Sequence, residues 1–283
     1  MENIEEKIIE QVTEISKIRK NPLLLLDLKE VNKSVALSLN DLIAERNFKT
    51  LDVILQTPGG DIDAAFAIAK ILRKSAQELN IIVPLFAKSA GTLICLAGDN
   101  ILMNHLSELG PLDSQIPEMQ DSELKYISAL NGFKALEQVQ LHSIETLDIT
   151  TKLLIEKSGI KISEAIQLAS DFSGKTSGTL YSRLDPIKIG EYARALEIGE
   201  RYGIWILNRY MGWTYENAQR VVKMLVKGYP SHGFVIDGEE LLKLGLPSCQ
   251  IEKNLFDVFS SIRKDLLNTE ATIIKLIELE SEE

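Results

Sequence analysis

Cysteine is almost missing from this chain: there are two in 283 residues, Cys95 and Cys249. They lie too far apart for a CxxC pair or a paired metal-ligand spacing, and no disulfide framework is possible beyond a single bridge. Both have apolar sequence neighbours, so two buried free thiols and a reducing, cytoplasmic setting are expected. Histidine is equally sparse, at three residues with no paired spacing, so no zinc site and no cofactor are expected. Long hydrophobic runs are missing too. "PLLLLDL" (Pro22 to Leu28) is far too short to span a bilayer, and the charged, acidic start of the chain has no signal-peptide pattern. Nor is there a Lys/Arg-rich run. With 31 basic against 41 acidic residues and a net charge of −10, the chain is not expected to bind nucleic acid.

What is present is an ordinary globular composition, 45% hydrophobic and 25% charged. "IEEKIIEQVTEISKIRK" (Ile4 to Lys20) carries Ile4, Ile8, Val12 and Ile15 at helical spacing. "LDVILQT" (Leu51 to Thr57) is a short, β-branched apolar run closed by Pro58-Gly59-Gly60, which predicts a buried strand. A helix over Asp61 to Lys74, a strand over "NIIVPLFA" (Asn80 to Ala87), a short helix in "SAGTLICLAGD" and a strand in "NILMN" follow. Strand and helix alternating at this spacing predict an α/β fold, with βαβ units and a mainly parallel, buried sheet. Glu118 to Glu156 reads as a polar helical excursion, with further helices over Lys161–Ser170, Pro186–Arg209, Tyr215–Lys227 and Leu255–Glu283. The expected organisation is residues 1–50 as an N-terminal helix and leading strands, 51–250 as the main domain with an excursion at about 118–160, and 251–283 as a C-terminal helix.

Two consecutive βα turns carry unusual residues. Gly59-Gly60 ends the first strand; Ser89-Ala90 ends the next and opens a helix, setting the Ser89 hydroxyl at the positive end of a helix dipole. Ser89 fits a plain N-cap as well as a nucleophile. In a parallel sheet both turns fall at the carboxyl ends of the strands, where open α/β sheets hold ligands. The N–H groups of Gly60 and Ala90 are thereby candidates for an oxyanion hole.

"TPGG" followed about thirty residues later by "KSAGT" resembles the Clp-type serine peptidase fold. More specifically, "AKSAGTLICLAGDNILMNHLSELGPLDSQI", "YSRLDPIKIGEYARALEIGERY" and "SHGFVIDGEELLKLGLP" resemble the serine dehydrogenase proteinase family. The resemblance implies a serine peptidase with Ser89 as nucleophile, oxyanion donors at Gly60 and Ala90, and a triad in the chain order Ser, Asp, His. His232 in "PSHGF" fits the histidine best, ahead of His105 and of His142 in a polar helical stretch. Asp113 in "GPLDSQI" is the chosen acid, ahead of Asp237, Asp99 and Asp185. Ser114 departs from the proline usual after the loop aspartate. Lys88, just before the nucleophile, offers a second mechanism through a Ser–Lys dyad but points to the other side of the strand end. The fold further implies a spiral of βα units, a peptide or protein substrate and a homo-oligomer, while the shortness of every apolar run implies no membrane span. Two other readings stay open: a crotonase-like acyl-CoA enzyme using the same two-donor hole, and an inactive, partner-binding relative of the peptidase.

Overall fold

The computed structural model describes residues 4–113, 115–120 and 123–279. They form two compact units, one from the described parts of 1–114 and 197–283, the other from 115–196.

The first unit is a mixed α/β structure built on a mostly parallel sheet. Helix α1 (Ile4–Arg19) leads into β1 (Leu23–Asp27), α2 (Lys33–Ile43), β2 (Phe48–Gln56), α3 (Ile62–Ser75) and β3 (Ala76–Ile82). Then come β4 (Phe86–Ala87), α4 (Ala90–Cys95), β5 (Asn100–Met103) and β6 (Glu108–Leu109). The six-stranded sheet runs β10-β1-β2-β3-β5-β9, with β9 (Ser248–Gln250) parallel to β5 and β10 (Ile273–Ile277) antiparallel to β1. Both sheet faces are buried, which is why β1 and β2 read as continuous apolar runs rather than alternating ones. One face carries Leu23, Leu25, Ile54, Ile82 and Leu102, packed with Ile8, Val12 and Ile15 of α1 and Phe259, Ile262 and Leu266 of α10 (Phe256–Asn268).

The expected strand over Asn80–Ala87 is interrupted. Val83 N–H still bonds to Leu102, but Pro84 has no N–H to extend the ladder. The chain therefore leaves the main sheet, and β4 pairs in parallel with β6. The C-terminal segment is likewise not one long helix: α10 ends at Asn268, and β10 returns as an edge strand on β1. The last residues of the expected helix, 280–283, lie outside the described residues.

Two helices are tighter at the start than at the end. Helix α7 (Pro186–Trp205) runs into a π-helical turn at Ile206–Tyr210, and α8 (Tyr215–Lys223) into another at Met224–Gly228. Helix α9 (Gly238–Leu244) starts on an Asp237 cap, whose carboxylate accepts from Glu240 N–H.

The second unit opens with a hairpin, β7 (Gln115–Gln120) against β8 (Glu123–Ser128), where a helix was expected from Glu118. Helices α5 (Ala129–Ser158) and α6 (Ile162–Tyr181) follow. Helix α6 buries Ala165, Ala169, Ser173 and Ser177, one small residue per turn. That seam admits α5 closely enough for Ser173 Oγ to donate to the Ser143 carbonyl at 2.8 Å.

Candidate active site

The end of β2 is tied to the start of the serine turn through Thr57. Thr57 N–H donates to Phe86 O and Lys88 N–H to Thr57 O, both at 3.0 Å, so the strand ends at Thr57 and Ala87 lie side by side. The Thr57 hydroxyl also accepts from Gly59 N–H at 3.2 Å, which sets the Pro-Gly-Gly turn. Gly59 has φ +117°, and a Cβ there would sit 3.0 Å from Lys88 O and 3.2 Å from Ser89 Cβ. The glycine pressed against the serine turn is therefore Gly59.

Gly60 has a different constraint. Its φ is +145°, and a Cβ would lie 2.3 Å from the Val31 carbonyl oxygen. Val31 N–H donates to Gly59 O and Asp61 N–H donates to Val31 O, which brackets Gly60 as in a parallel bridge. A side chain at Gly60 would therefore strike the Val31 backbone. The bracketing turns Gly60's own N–H away from Val31, and it has no acceptor among the described residues.

Ser89 stands at the N-terminus of α4 with φ 48° and ψ −109°. Outside glycine this backbone costs about 1–3 kcal/mol and persists only where its surroundings enforce it. Its hydroxyl makes no capping bond, so the plain N-cap reading fails on geometry. Ala90 N–H, the first of the helix, also lacks an acceptor among the described residues.

Asp113 and His232, 119 residues apart, meet. His232 Nδ1 lies 2.6 Å from Asp113 Oδ1, the carboxylate fully buried and the imidazole a quarter exposed. A carboxylate only accepts, so Nδ1 is the donor of this contact, and in a neutral imidazole the lone pair then sits on Nε2. The two segments are brought together by backbone. Leu109 and Ile236 exchange N–H···O bonds of 2.9 and 3.1 Å, and Leu112 N–H donates to Leu225 O at 2.9 Å. The histidine loop is closed by a Ser231–Phe234 turn and by Tyr229 stacked on Phe234, centroids 4.8 Å apart. Among the described residues no hydrogen bond joins Ser89 Oγ to His232.

The remaining candidates fall elsewhere. Lys88 Nζ is 2.6 Å from Glu108 Oε2 and 3.2 Å from Leu109 O, engaged away from the serine hydroxyl. His105 is exposed beside β5, and His142 is exposed on α5. Asp99 accepts from Arg73 and from Leu79 N–H, and Asp185 accepts from Ile187 N–H. Ser114 lies outside the described residues. Cys95 is buried, and burial pushes its thiol far above the ordinary value. Cys249 is exposed, against the expectation of two buried thiols. No group of three or more metal-ligating side chains exists among the described residues, and no helix among them is long and apolar enough to cross a membrane.

Two proteins of Methanocaldococcus jannaschii described as uncharacterized are similar to the chain. One is 48% identical over 68 residues, 24% of each chain; the other is 29% identical over 128 residues, 45% of this chain and 40% of the relative. The matched parts are thus less than half the length of either relative. Among solved structures, a mutant of a membrane-bound stomatin-specific protease matches at 19% identity over 51% of this chain and 66% of its own, with a TM-score of 0.32. ClpP1 from Listeria monocytogenes matches at 12% identity over 89% and 99%, with a TM-score of 0.39. Over residues 26–158, just under half its length, the chain matches the family of ClpP-like SDH-type serine proteinases, in a segment that holds Gly60, Ser89, Ala90 and Asp113 and stops before His232.

Proposed function

We propose that the chain is a serine peptidase hydrolysing peptide bonds through an acyl-enzyme on Ser89. The observation that carries this reading is the Asp113–His232 pair at 2.6 Å, a buried carboxylate orienting a partly buried imidazole. In the proposed cycle His232 Nε2 takes the Ser89 proton as Oγ attacks the substrate carbonyl. The resulting oxyanion lies against the N–H groups of Gly60 and Ala90, and collapse passes the proton from His232 to the departing amine. Water then repeats the sequence on the ester, its proton going to His232 and back to Ser89 as the acid leaves. Asp113 holds the tautomer and stabilises the imidazolium without taking the proton. Ser89 and His232 are expected to close to hydrogen-bond distance with substrate bound, as catalytic bonds commonly tighten only then.

A homo-oligomer accompanies this reading. Leu141, Ile144 and Ile149 of α5 and Ile162, Ile166 and Phe172 of α6 are exposed, apolar faces of a kind that association covers.

A fluorophosphonate probe tests the nucleophile. Labelling confined to Ser89, lost in Ser89→Ala, is the expected result. A folded chain that is never labelled there would leave the inactive, partner-binding alternative in its place.

A further inference from the structure

The two residues on either side of the nucleophile turn both reach the loop that carries Asp113. Thr92, fully buried on α4, has its Oγ1 2.8 Å from Gly110 O, 3.1 Å from Gly110 N and 3.0 Å from Ala87 O. A hydroxyl has one proton to give and two lone pairs. It therefore accepts from Gly110 N–H and holds its one proton between the Gly110 and Ala87 carbonyls, both in reach, so a single side chain sits against Gly110 and the end of β4 together. Thr92 is three residues past Ser89 and Gly110 three residues before Asp113, so this contact links the nucleophile helix directly to the acid loop. On the far side, Lys88 lays its stem over Gly110, where a Cβ would come within 2.9 Å of Lys88 Cδ. Its ammonium is fixed by Glu108 and the Leu109 carbonyl. Leu112 N–H, bonded to Leu225 O in the π-helical turn, pins the same loop from the histidine side.

We propose that Thr92 and Lys88 are positioning residues that clamp the Glu108–Asp113 loop to the nucleophile turn and so set the distance from Ser89 to the Asp113–His232 pair. This rests on the peptidase reading above. It gives Lys88 a mechanical role beside the serine rather than that of a base, and it gives a fully buried threonine in "KSAGT" a purpose that helix packing alone does not require. Misplacing reacting groups by about 1 Å costs on the order of a hundredfold in rate, so loosening the clamp would be read in chemistry before it is read in folding.

The test is the rate of fluorophosphonate labelling at Ser89 across pH, with thermal unfolding of the same samples, for the full chain and for Thr92→Val, Thr92→Ser, Lys88→Gln and Lys88→Arg. Thr92→Val removes the hydroxyl at constant shape. Its labelling is expected to slow roughly ten- to a hundredfold, with a displaced pH profile because the histidine loses its fixed partner. Thr92→Ser restores the rate to within a few-fold. Lys88→Gln slows labelling and Lys88→Arg, which can still pair with Glu108, restores it; should Thr92→Val fail to fold, this second pair decides. Wild-type rate and pH profile in Thr92→Val or Lys88→Gln would overturn the clamp while leaving the nucleophile intact, as would a serine variant as slow as valine. Loss of labelling in Lys88→Arg equal to that in Ser89→Ala would make Lys88 the base instead. A wild-type chain unlabelled at Ser89 overturns the peptidase reading and the clamp with it.

Discussion

Replacing Asp27 by asparagine should make the protein more stable at neutral pH, and by an amount that depends on pH in a defined way. Asp27 ends β1 with its side chain only 1% exposed. Its Oδ2 accepts from Lys29 Nζ at 3.1 Å, but Oδ1 has no partner among the described residues. Gln56, its register neighbour on β2, has an equally unpartnered Oε1. Burial pushes the Asp27 carboxyl up from 3.8 to about 6, against the opposing pull of Lys29. Burial thus favours the neutral acid over the carboxylate in the fold. The folded value exceeds the unfolded one, so the stabilisation is fully present below pH 3.8 and is lost as the pH rises through about 6. The interval from 3.8 to about 6 corresponds to about 3 kcal/mol. An asparagine in its place cannot ionise and brings its own donor. Urea titrations at pH values from 4 to 8 would measure the difference in stability between Asp27→Asn and wild type. That difference should be small at pH 4, grow by about 3 kcal/mol towards pH 7, and level off. A pH-independent difference, or one that shrinks as pH rises, would refute the reasoning.

Three further outcomes follow from the same geometry. Asp113→Asn should leave the fold standing but release the His232 tautomer, lowering kcat/KM on a peptide substrate by on the order of 10⁴-fold; steady-state assays with a circular-dichroism control check it. Gly60→Ala forces an L side chain into φ +145° and against the Val31 carbonyl, so it should cost at least about 1–3 kcal/mol, seen as a lowered denaturation midpoint. An impermeant thiol reagent should modify one cysteine per native chain, Cys249, and the second, Cys95, only after unfolding; two fast thiols in the native protein would contradict the burial of Cys95.

Local chemistry made much of the site edge readable. The apolar run of β2, the Pro-Gly-Gly turn and the small residues after Ser89 each act within a few positions, so strand, turn and helix were all visible in sequence. The failures are non-local. Ile273–Ile277 forms a strand only because β1, some 250 residues earlier, offers it an edge; between charged residues its own pattern passes for helix. The β7–β8 hairpin mixes polar and apolar residues, and no glycine stands between its strands to announce a turn. Cys249 has Leu246 and Ile251 nearby in sequence, yet it lies, between Ser248 and Gln250, on the short edge strand β9, where side chains reach solvent. Gly60 stands out within the Pro-Gly-Gly turn, but the atom that forbids a side chain there belongs to Val31, which no local pattern points to. Thr92 gave no signal, since its partner is a backbone eighteen residues away. The meeting of Asp113 and His232 is legible only in the family blocks and not in spacing, because the Leu109–Ile236 bridge that brings them together has no local signature.

The most direct test of the account is a crystal structure of the fluorophosphonate adduct. The account predicts phosphorus bonded to Ser89 Oγ, a phosphoryl oxygen within about 3 Å of both Gly60 N and Ala90 N, and His232 Nε2 within hydrogen-bond reach of the phosphonylated oxygen with the Asp113 contact kept. An adduct on another residue, or one on Ser89 with His232 still out of reach and the phosphoryl oxygen turned away from Gly60, would contradict it.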